Sequence, residues 1–143
     1  MRSKAASNGN PCTCFRVRRL ARLLSQRYDR ALAPAGLNVN QYSILRRAEP
    51  EPLPVGRLAR RMGMDRTTLT RDLKPLLAAG LVVLVAGDDA RQRCVQVTAR
   101  GRRAIARAQP LWRQMQSDLE SALGADGMEM LHRRLDDMLA VLR

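Results

Sequence analysis

The side chains with the clearest potential for binding form a polar stripe at helical spacing in the middle of the chain. The stripe consists of Thr67, Thr68, Arg71 and Lys74, and Arg66 at the predicted helix start is a further DNA-binding candidate. Leucines recur at helical spacing on the opposite side, which predicts an amphipathic helix that exposes this stripe. Hydroxyls near a helix start can donate to phosphate groups, and an arginine one turn further on can donate two hydrogen bonds to a guanine edge. An ordinary solvated helix face has the same pattern.

Two cysteines near the start of the predicted first helix are a second set of candidate reactive residues. Cys14 lies beside several arginines and just inside the helix, where free backbone N–H groups and the helix dipole favour a reactive thiol. A peroxide would oxidise such a thiol to a sulfenic acid, with Cys12 as a candidate resolving residue. Alternatively, both cysteines pack between subunits. Cys94 falls in a predicted strand and is expected to be structural.

The other polar residues lack the spacing that enzymes and metal sites require. His132 has no cluster of partner ligands, and the adjacent acids Asp88–Asp89 and Asp136–Asp137 are interpreted as surface charge. The sequence contains no glycine-rich nucleotide-binding loop. We therefore expect no catalytic site, no metal ion and no cofactor.

The net charge of +13 indicates a polyanionic partner. Residues 57–107 hold twelve Lys or Arg and four acids, whereas residues 108–143 hold four and six, so a basic middle adjoins a mildly acidic end. The four aromatic side chains are not interleaved with the basic clusters, which favours duplex DNA over single strands. No apolar run approaches the roughly 20 residues that span a bilayer, and no signal peptide is recognisable. We expect a cytoplasmic protein.

The elements that must position these residues follow from apolar periodicity and from helix-stop residues. Residues 1–11 are predicted to be a disordered tail. Helices are predicted over about 12–33, from Asn38 or Asn40 to about 48, and over about 54–63, 66–79, 99–123 and 126–142, with a β-hairpin at 81–98. The fold class is therefore mainly α with a small β-hairpin wing.

The order of these elements is typical of a winged helix-turn-helix. Gly63 separates two short helices, the second begins after a capping Asp65, and the hairpin follows at once. Leu58 and Met62 on the first helix are expected to pack against the second, which would allow the start of the second to enter the major groove. The motif explains helix and hairpin together, so it favours DNA contact over a merely solvated face.

Three segments resemble the MarR family of bacterial transcriptional regulators. They are GLNVNQYSIL (36–45), PVGRLARRMGMDRTTLTRDLKPLLAAGLV (54–82) and DDARQRCVQVTARGR (88–102). The resemblance implies a homodimer whose N- and C-terminal helices intertwine and which binds a pseudopalindromic operator, most often as a repressor. It also implies that Arg91 is a wing-tip arginine entering the minor groove and that Asp89 holds its loop.

The resemblance divides the chain into two regions. Residues 12–34 and 108–143 would form the helical dimerisation region, and residues 35–107 the winged helix-turn-helix. A small aromatic or apolar anion is the usual effector of the family, and it would bind between these regions. By analogy, the candidate residues for that pocket are Arg22, Tyr28 and Tyr42.

A weaker resemblance connects the chain to the branch of this family that senses organic hydroperoxides. It rests on Cys14–Phe15, on Tyr28 and on Gln41–Tyr42, while Arg18 and Val39 stand where those sensors have further tyrosines. Oxidation of Cys14 is therefore an alternative to ligand binding as the release signal. The alternative function from another class is an architectural DNA-binding protein that senses nothing and prefers no sequence.

Overall fold

The computed structural model describes residues 12–143, so the predicted disordered tail at 1–11 lies outside the described residues. The described chain forms six α-helices and three strands. In chain order these are α1 (Thr13–Leu32), a 3-10 turn (Ala33–Ala35), α2 (Val39–Ala48), β1 (Leu53–Pro54), α3 (Val55–Met62), α4 (Arg66–Ala78), β2 (Val82–Ala86), β3 (Arg93–Val97), α5 (Ala99–Leu123) and α6 (Ala125–Leu142). The predicted fold class, mainly α with a small wing, is confirmed.

The start of α2 is determined by local hydrogen bonds at Asn38, one of the two caps that the sequence leaves open. The Asn38 side chain accepts a hydrogen bond from the Gln41 amide at 2.8 Å, and the Gln41 side chain accepts one from the Asn38 amide at 3.0 Å. This reciprocal capping box satisfies two of the donors that every helix start leaves without a partner. The Asp29 carboxylate accepts from the Val39 amide at 2.8 Å, which joins the end of α1 to α2.

A tight turn between α3 and α4 sets the direction in which α4 begins. Gly63 ends α3 in the left-handed region, with φ +66°, where a residue without Cβ is least strained. Asp65 then caps α4, because its carboxylate accepts a hydrogen bond from the Thr68 amide at 2.7 Å. The two helices are therefore separated by three residues, 63–65.

The wing is part of a three-stranded antiparallel sheet in the order β1-β3-β2. In the central strand, Val95 pairs with Leu84 on one side and with Leu53 on the other. The sequence predicts β2 and β3 as a hairpin but misses β1. A two-residue strand has no periodicity of its own, and its partner lies about forty residues further along the chain, so only the folded chain reveals the pairing.

The hydrophobic core lies between α2, α3, α4, the sheet and the first half of α5. Its largest fully buried side chains are Leu32, Ile44, Leu45, Leu53, Leu58, Leu69, Leu76, Val82 and Val95. Within the described residues α1 buries only Leu32, and α6 buries only Met128. The two terminal helices thus contribute little to the core of a single chain. Because α5 passes position 108 without interruption, the two predicted regions share one continuous helix.

No helix in the described part of the chain combines the length and the apolar character that a membrane crossing requires.

Candidate nucleic-acid interface

The outer side of α4 is a polar, positively charged surface opposite a buried apolar side. Leu69, Leu73 and Leu76 point into the core. The outer side forms a shallow groove of about 410 Å³, here called the α4 groove, which is lined by Arg66, Thr67, Thr70, Arg71 and Lys74. Four of the five DNA-binding candidates predicted on this helix, all but Thr68, therefore lie together.

Thr68 has a different environment from the one that its place in the stripe predicts. Its side chain is half-buried, and its hydroxyl donates to the Asp65 carboxylate at 3.1 Å. Thr68 thus completes the cap of α4, whereas Thr70 lines the groove and donates its hydroxyl to the Arg66 carbonyl at 2.8 Å. Sequence reasoning missed Thr70, although its spacing of three residues from Thr67 would have placed it on the same face.

The Asp65 carboxylate is held in its ionised form by the helix that it caps. The Thr68 amide and then the Thr68 hydroxyl donate to it, and these hydrogen bonds hold the pKa of Asp65 below its usual value. A charged carboxylate also interacts favourably with the positive end of the α4 dipole. Asp65 therefore stabilises the first turn of α4, from which the α4 groove begins.

The tip of the wing is closed by hydrogen bonds around Asp89. Its carboxylate accepts from the Arg91 amide at 3.0 Å, and its carbonyl accepts from the Gln92 amide at 2.8 Å. The Gly87 amide donates to the Gln92 carbonyl at 3.1 Å, which completes the turn between β2 and β3. Asp89 is thus bonded to the backbone of the loop, and the exposed Arg91 side chain extends from that loop.

A narrow cleft between α3, the start of α4 and the wing collects arginines that the sequence does not show to be neighbours. This arginine cleft has a volume of about 240 Å³ and is lined by Arg57, Arg60, Arg66, Arg91 and Arg93 together with Gln92 and the Pro54–Gly56 segment. Sequence reasoning missed Arg57, Arg60 and Arg93. The spacing of Arg57 and Arg60 on one face of α3 was visible, but their proximity to the wing was not.

The candidate ligand residues separate into two places in the described chain. Tyr42 is buried against Trp112, with ring centroids 6.4 Å apart. It lines a cavity of about 300 Å³ on the outside of α2 and α5, here called the α2–α5 notch, together with Ser43, Arg46, Arg47, Gln109 and Trp112. Burial raises the pKa of the Tyr42 hydroxyl, and the nearby Arg46 opposes that effect.

Tyr28 and Arg22 do not line this notch. The Tyr28 hydroxyl donates to the Gln116 side chain at 2.6 Å, which ties α1 to α5. Burial raises the pKa of Tyr28, and the negative charge of Glu120 raises it further, so the hydroxyl stays a hydrogen-bond donor. Arg22 is exposed on α1.

The cysteines differ in exposure. Cys12 immediately precedes α1 and Cys14 lies in its first turn, and both are exposed, whereas Cys94 is buried in β3. Tyr28 is in the same helix as Cys14, fourteen residues later, which corresponds to about 21 Å at the helical rise per residue. A contact between these two side chains therefore requires a second copy of the chain.

Comparisons with known proteins agree with this geometry. A model described as a helix-turn-helix domain matches residues 38–85. The transcriptional regulator MosR of Mycobacterium tuberculosis, solved in complex with DNA, is 40% identical over 89% of this chain and 92% of that chain, with a TM-score of 0.82. No curated protein matches the chain.

Two further solved structures share the fold. The M. tuberculosis MarR family protein Rv2887, in complex with salicylic acid, is 25% identical over 91% of this chain and 98% of that chain, with a TM-score of 0.67. CouR from Rhodococcus jostii RHA1, bound to p-coumaroyl-CoA, is 23% identical over 95% of each chain, with a TM-score of 0.76.

Proposed function

Because the chain belongs to the MarR family of winged helix-turn-helix transcriptional regulators, we propose that it is a homodimeric repressor of the cytoplasm that binds a pseudopalindromic operator and is released by an effector. The observation that carries the proposal is the adjacency of the α4 groove and the arginine cleft, which share Arg66. A helix start and a wing tip on one basic surface suit the major groove and the neighbouring minor groove of a duplex.

The proposed roles follow from the chemistry of each side chain. Arg71 and the threonine hydroxyls in the α4 groove are suited to base edges and nearby phosphates. Arg91, held out by the loop around Asp89, is suited to a narrow minor groove, where negative potential is concentrated. Lys74 lies at the far end of the groove and would contact the backbone.

Exposed apolar side chains on the terminal helices support a homodimer. They are Phe15, Val17, Leu20 and Leu23 on α1 and Leu135, Met138, Leu139, Val141 and Leu142 on α6. Val141 and Leu142 expose 79% and 76% of their surfaces, far more than a single folded chain ordinarily leaves uncovered in a cluster. A twofold dimer would cover these helices and present two α4 grooves to the two halves of a palindrome.

A small aromatic or apolar anion is one candidate effector. The α2–α5 notch combines two aromatic rings with the guanidinium groups of Arg46 and Arg47, which suits a ring bearing a carboxylate. Rv2887 was solved with salicylic acid, a molecule of this class. Asn40 on α2 donates to Asp72 on α4 at 2.8 Å, so a ligand that displaces α2 would also displace the DNA-binding helix.

Oxidation of Cys14 is the other candidate signal. Its thiol is exposed at the start of a helix whose apolar face would lie in the dimer interface, and Cys12 is close in sequence as a resolving thiol. A polar oxygen or a cross-link at this place would alter how the two α1 helices meet. A shift of about 1–3 kcal/mol between dimer conformations would change operator occupancy several-fold.

The DNA-binding proposal is tested by selecting duplexes from a random library and measuring affinity for the selected and for scrambled sequences. We expect one inverted repeat to be preferred. Arg71→Ala should reduce that preference, whereas Arg66→Ala should weaken binding to all duplexes alike. Equal wild-type affinity for every duplex at moderate salt would instead support an architectural DNA-binding protein.

The effector proposal is tested on the protein bound to its selected duplex. If Cys14 is the sensor, micromolar organic hydroperoxide should release the protein, a thiol reductant should restore binding, and Cys14→Ser should bind DNA but ignore peroxide. Cys12→Ser tests the resolving role. In a parallel titration, benzoate should change the fluorescence of Trp112, the single tryptophan, if the notch binds aromatic anions. Retention on DNA at doses that oxidise Cys14 would reject the thiol as sensor.

A further inference from the structure

The arginine cleft contains more positively charged side chains than the proposed roles of the α4 groove and the wing tip require. Five guanidinium groups line it, and they come from α3, from the first residue of α4 and from the wing. All five side chains are exposed. Only Arg66 and Arg91 have a role in the proposed function so far, so Arg57, Arg60 and Arg93 require a separate explanation.

None of these five arginines forms an ion pair with an acid of the described residues. The ion pairs found in residues 12–143 involve Arg46, Arg133 and Arg134, and none of the cleft arginines. Like charges around a cavity of about 240 Å³ repel one another until an anion enters. A guanidinium group also has the planar fork that donates two hydrogen bonds to a phosphate. The cleft therefore has the chemistry of a phosphate site.

The position of the cleft indicates which phosphates of a duplex would occupy it. On one side of it, α4 begins at Arg66, and on the other side the wing carries Arg91. If α4 lies in the major groove and the wing tip in the adjacent minor groove, the feature that runs between them is a single sugar–phosphate strand, because each backbone strand of a duplex separates one groove from the other. The cleft lies where that strand must pass.

We propose that the arginine cleft binds the phosphates of this strand and that Arg57 and Arg93 are the residues that grip it from opposite sides. This inference rests on the proposed function, since it requires α4 and the wing to occupy neighbouring grooves. Arg57 and Arg93 contribute affinity and register on the duplex, whereas the α4 groove supplies sequence preference. Arg60 supplies further positive charge from the next turn of α3.

The test compares salt dependence in a double variant. Arg57→Gln with Arg93→Gln removes four phosphate contacts from each dimer–operator complex, two per subunit, and should lower the slope of log affinity against log salt by about 4, because each contact releases roughly one counterion. Affinity at moderate salt should fall about tenfold or more for selected and scrambled duplexes alike. Arg57→Lys with Arg93→Lys should keep most of the slope, since the charges remain. Arg107→Gln, an exposed arginine of α5 outside the cleft, is the matched control.

The outcomes distinguish a failure of this inference from a failure of the proposed function. If the wild type binds its inverted repeat and the double glutamine variant keeps the same slope and affinity, the cleft assignment is overturned while the proposed function stands. Failure of the wild type to bind any duplex overturns both. Because Arg57 and Arg93 are exposed, the variant should melt at the same temperature or higher.

Phosphate can also come from free anions, and a second titration separates the two sources. Inorganic pyrophosphate is added to the DNA-free protein. The proposal expects weak binding that the double glutamine variant loses together with its DNA affinity. Tight, saturable pyrophosphate binding that the variant loses while its DNA affinity is unchanged would assign the cleft to a free anion and overturn the proposal.

Discussion

At the scale of single residues, the junction between the wing and α5 depends on a hydroxyl and a missing side chain. The Thr98 hydroxyl donates to the carbonyls of Gly80 and Leu81, at 2.7 and 3.1 Å, and accepts from the Gly101 amide at 3.0 Å. A Cβ on Gly101 would lie 2.2 Å from the Leu81 carbonyl oxygen and 2.7 Å from a Val97 methyl. The two ends of the wing can pack this closely against α5 only because position 101 carries no side chain.

Gly101→Ala should therefore destabilise the protein by about 1–3 kcal/mol, because backbone atoms have to shift to admit the methyl group. Chemical denaturation of the two proteins measures this difference. The matched control is Gly127→Ala in α6, where the added Cβ meets the Leu123 Cβ at an ordinary 3.5 Å and the change should be neutral or stabilising. Equal stability of Gly101→Ala and the wild type would show that the close approach relaxes without cost.

At the scale of elements, the start of α4, the helix proposed to face DNA, is capped by one carboxylate. The capping hydrogen bonds hold the pKa of Asp65 below its usual value, so folding favours the ionised group. The stabilisation from this cap is complete above the pKa that the Asp65 carboxyl has in the unfolded chain. It is lost as the pH falls through the lower pKa that this carboxyl has in the folded protein. The α4 groove shares this dependence, because the cap orients its first turn.

Asp65→Ala should lower the melting temperature at neutral pH and weaken duplex binding, since α4 loses its cap. Asp65→Asn should keep both properties at neutral pH, because asparagine caps equally well, but its stability should fall less steeply than that of the wild type below about pH 4. Thermal melts from pH 3 to 7 on the three proteins provide the comparison. Parallel pH profiles for the wild type and Asp65→Asn would contradict the argument.

At the scale of the whole molecule, the apolar side chains are distributed unevenly. The winged module, α2 to β3, has a continuous core, whereas α1 and α6 present their apolar sides to solvent in a single chain. Such an arrangement is stable in water when a second surface covers it, and an identical copy supplies one of the same shape. The proposed function therefore assigns DNA binding to the middle of the chain and dimerisation to the two terminal helices, and α5 joins the winged module to α6.

Leu139→Glu should weaken dimerisation by about tenfold or more, because it places a charge in the centre of the expected apolar interface. Sedimentation velocity over a range of concentrations measures the monomer–dimer equilibrium. Ala140→Glu is the matched control, since it adds the same charge to the same helix on the side that carries Arg133 and Asp136. If both variants dimerise as the wild type does, this face of α6 is not the interface.

The sequence by itself determined the six helices, the β-hairpin and the family. The capping box of α2, the Gly63 turn and the Asp65 cap each involve residues within a few positions of one another, so their hydrogen bonds are visible in the order of residues. The motifs of the helix-turn-helix and the wing are local for the same reason. The prediction of a mainly α fold with a small wing followed from these features and is confirmed.

Only the tertiary structure decided which distant residues become neighbours. The pairing of β1 with β3, the Tyr28–Gln116 hydrogen bond and the meeting of Arg57 with Arg93 all join residues at least thirty-six positions apart. Neither charge nor periodicity predicts that two such distant residues become neighbours, because their proximity depends on the packing of every element between them.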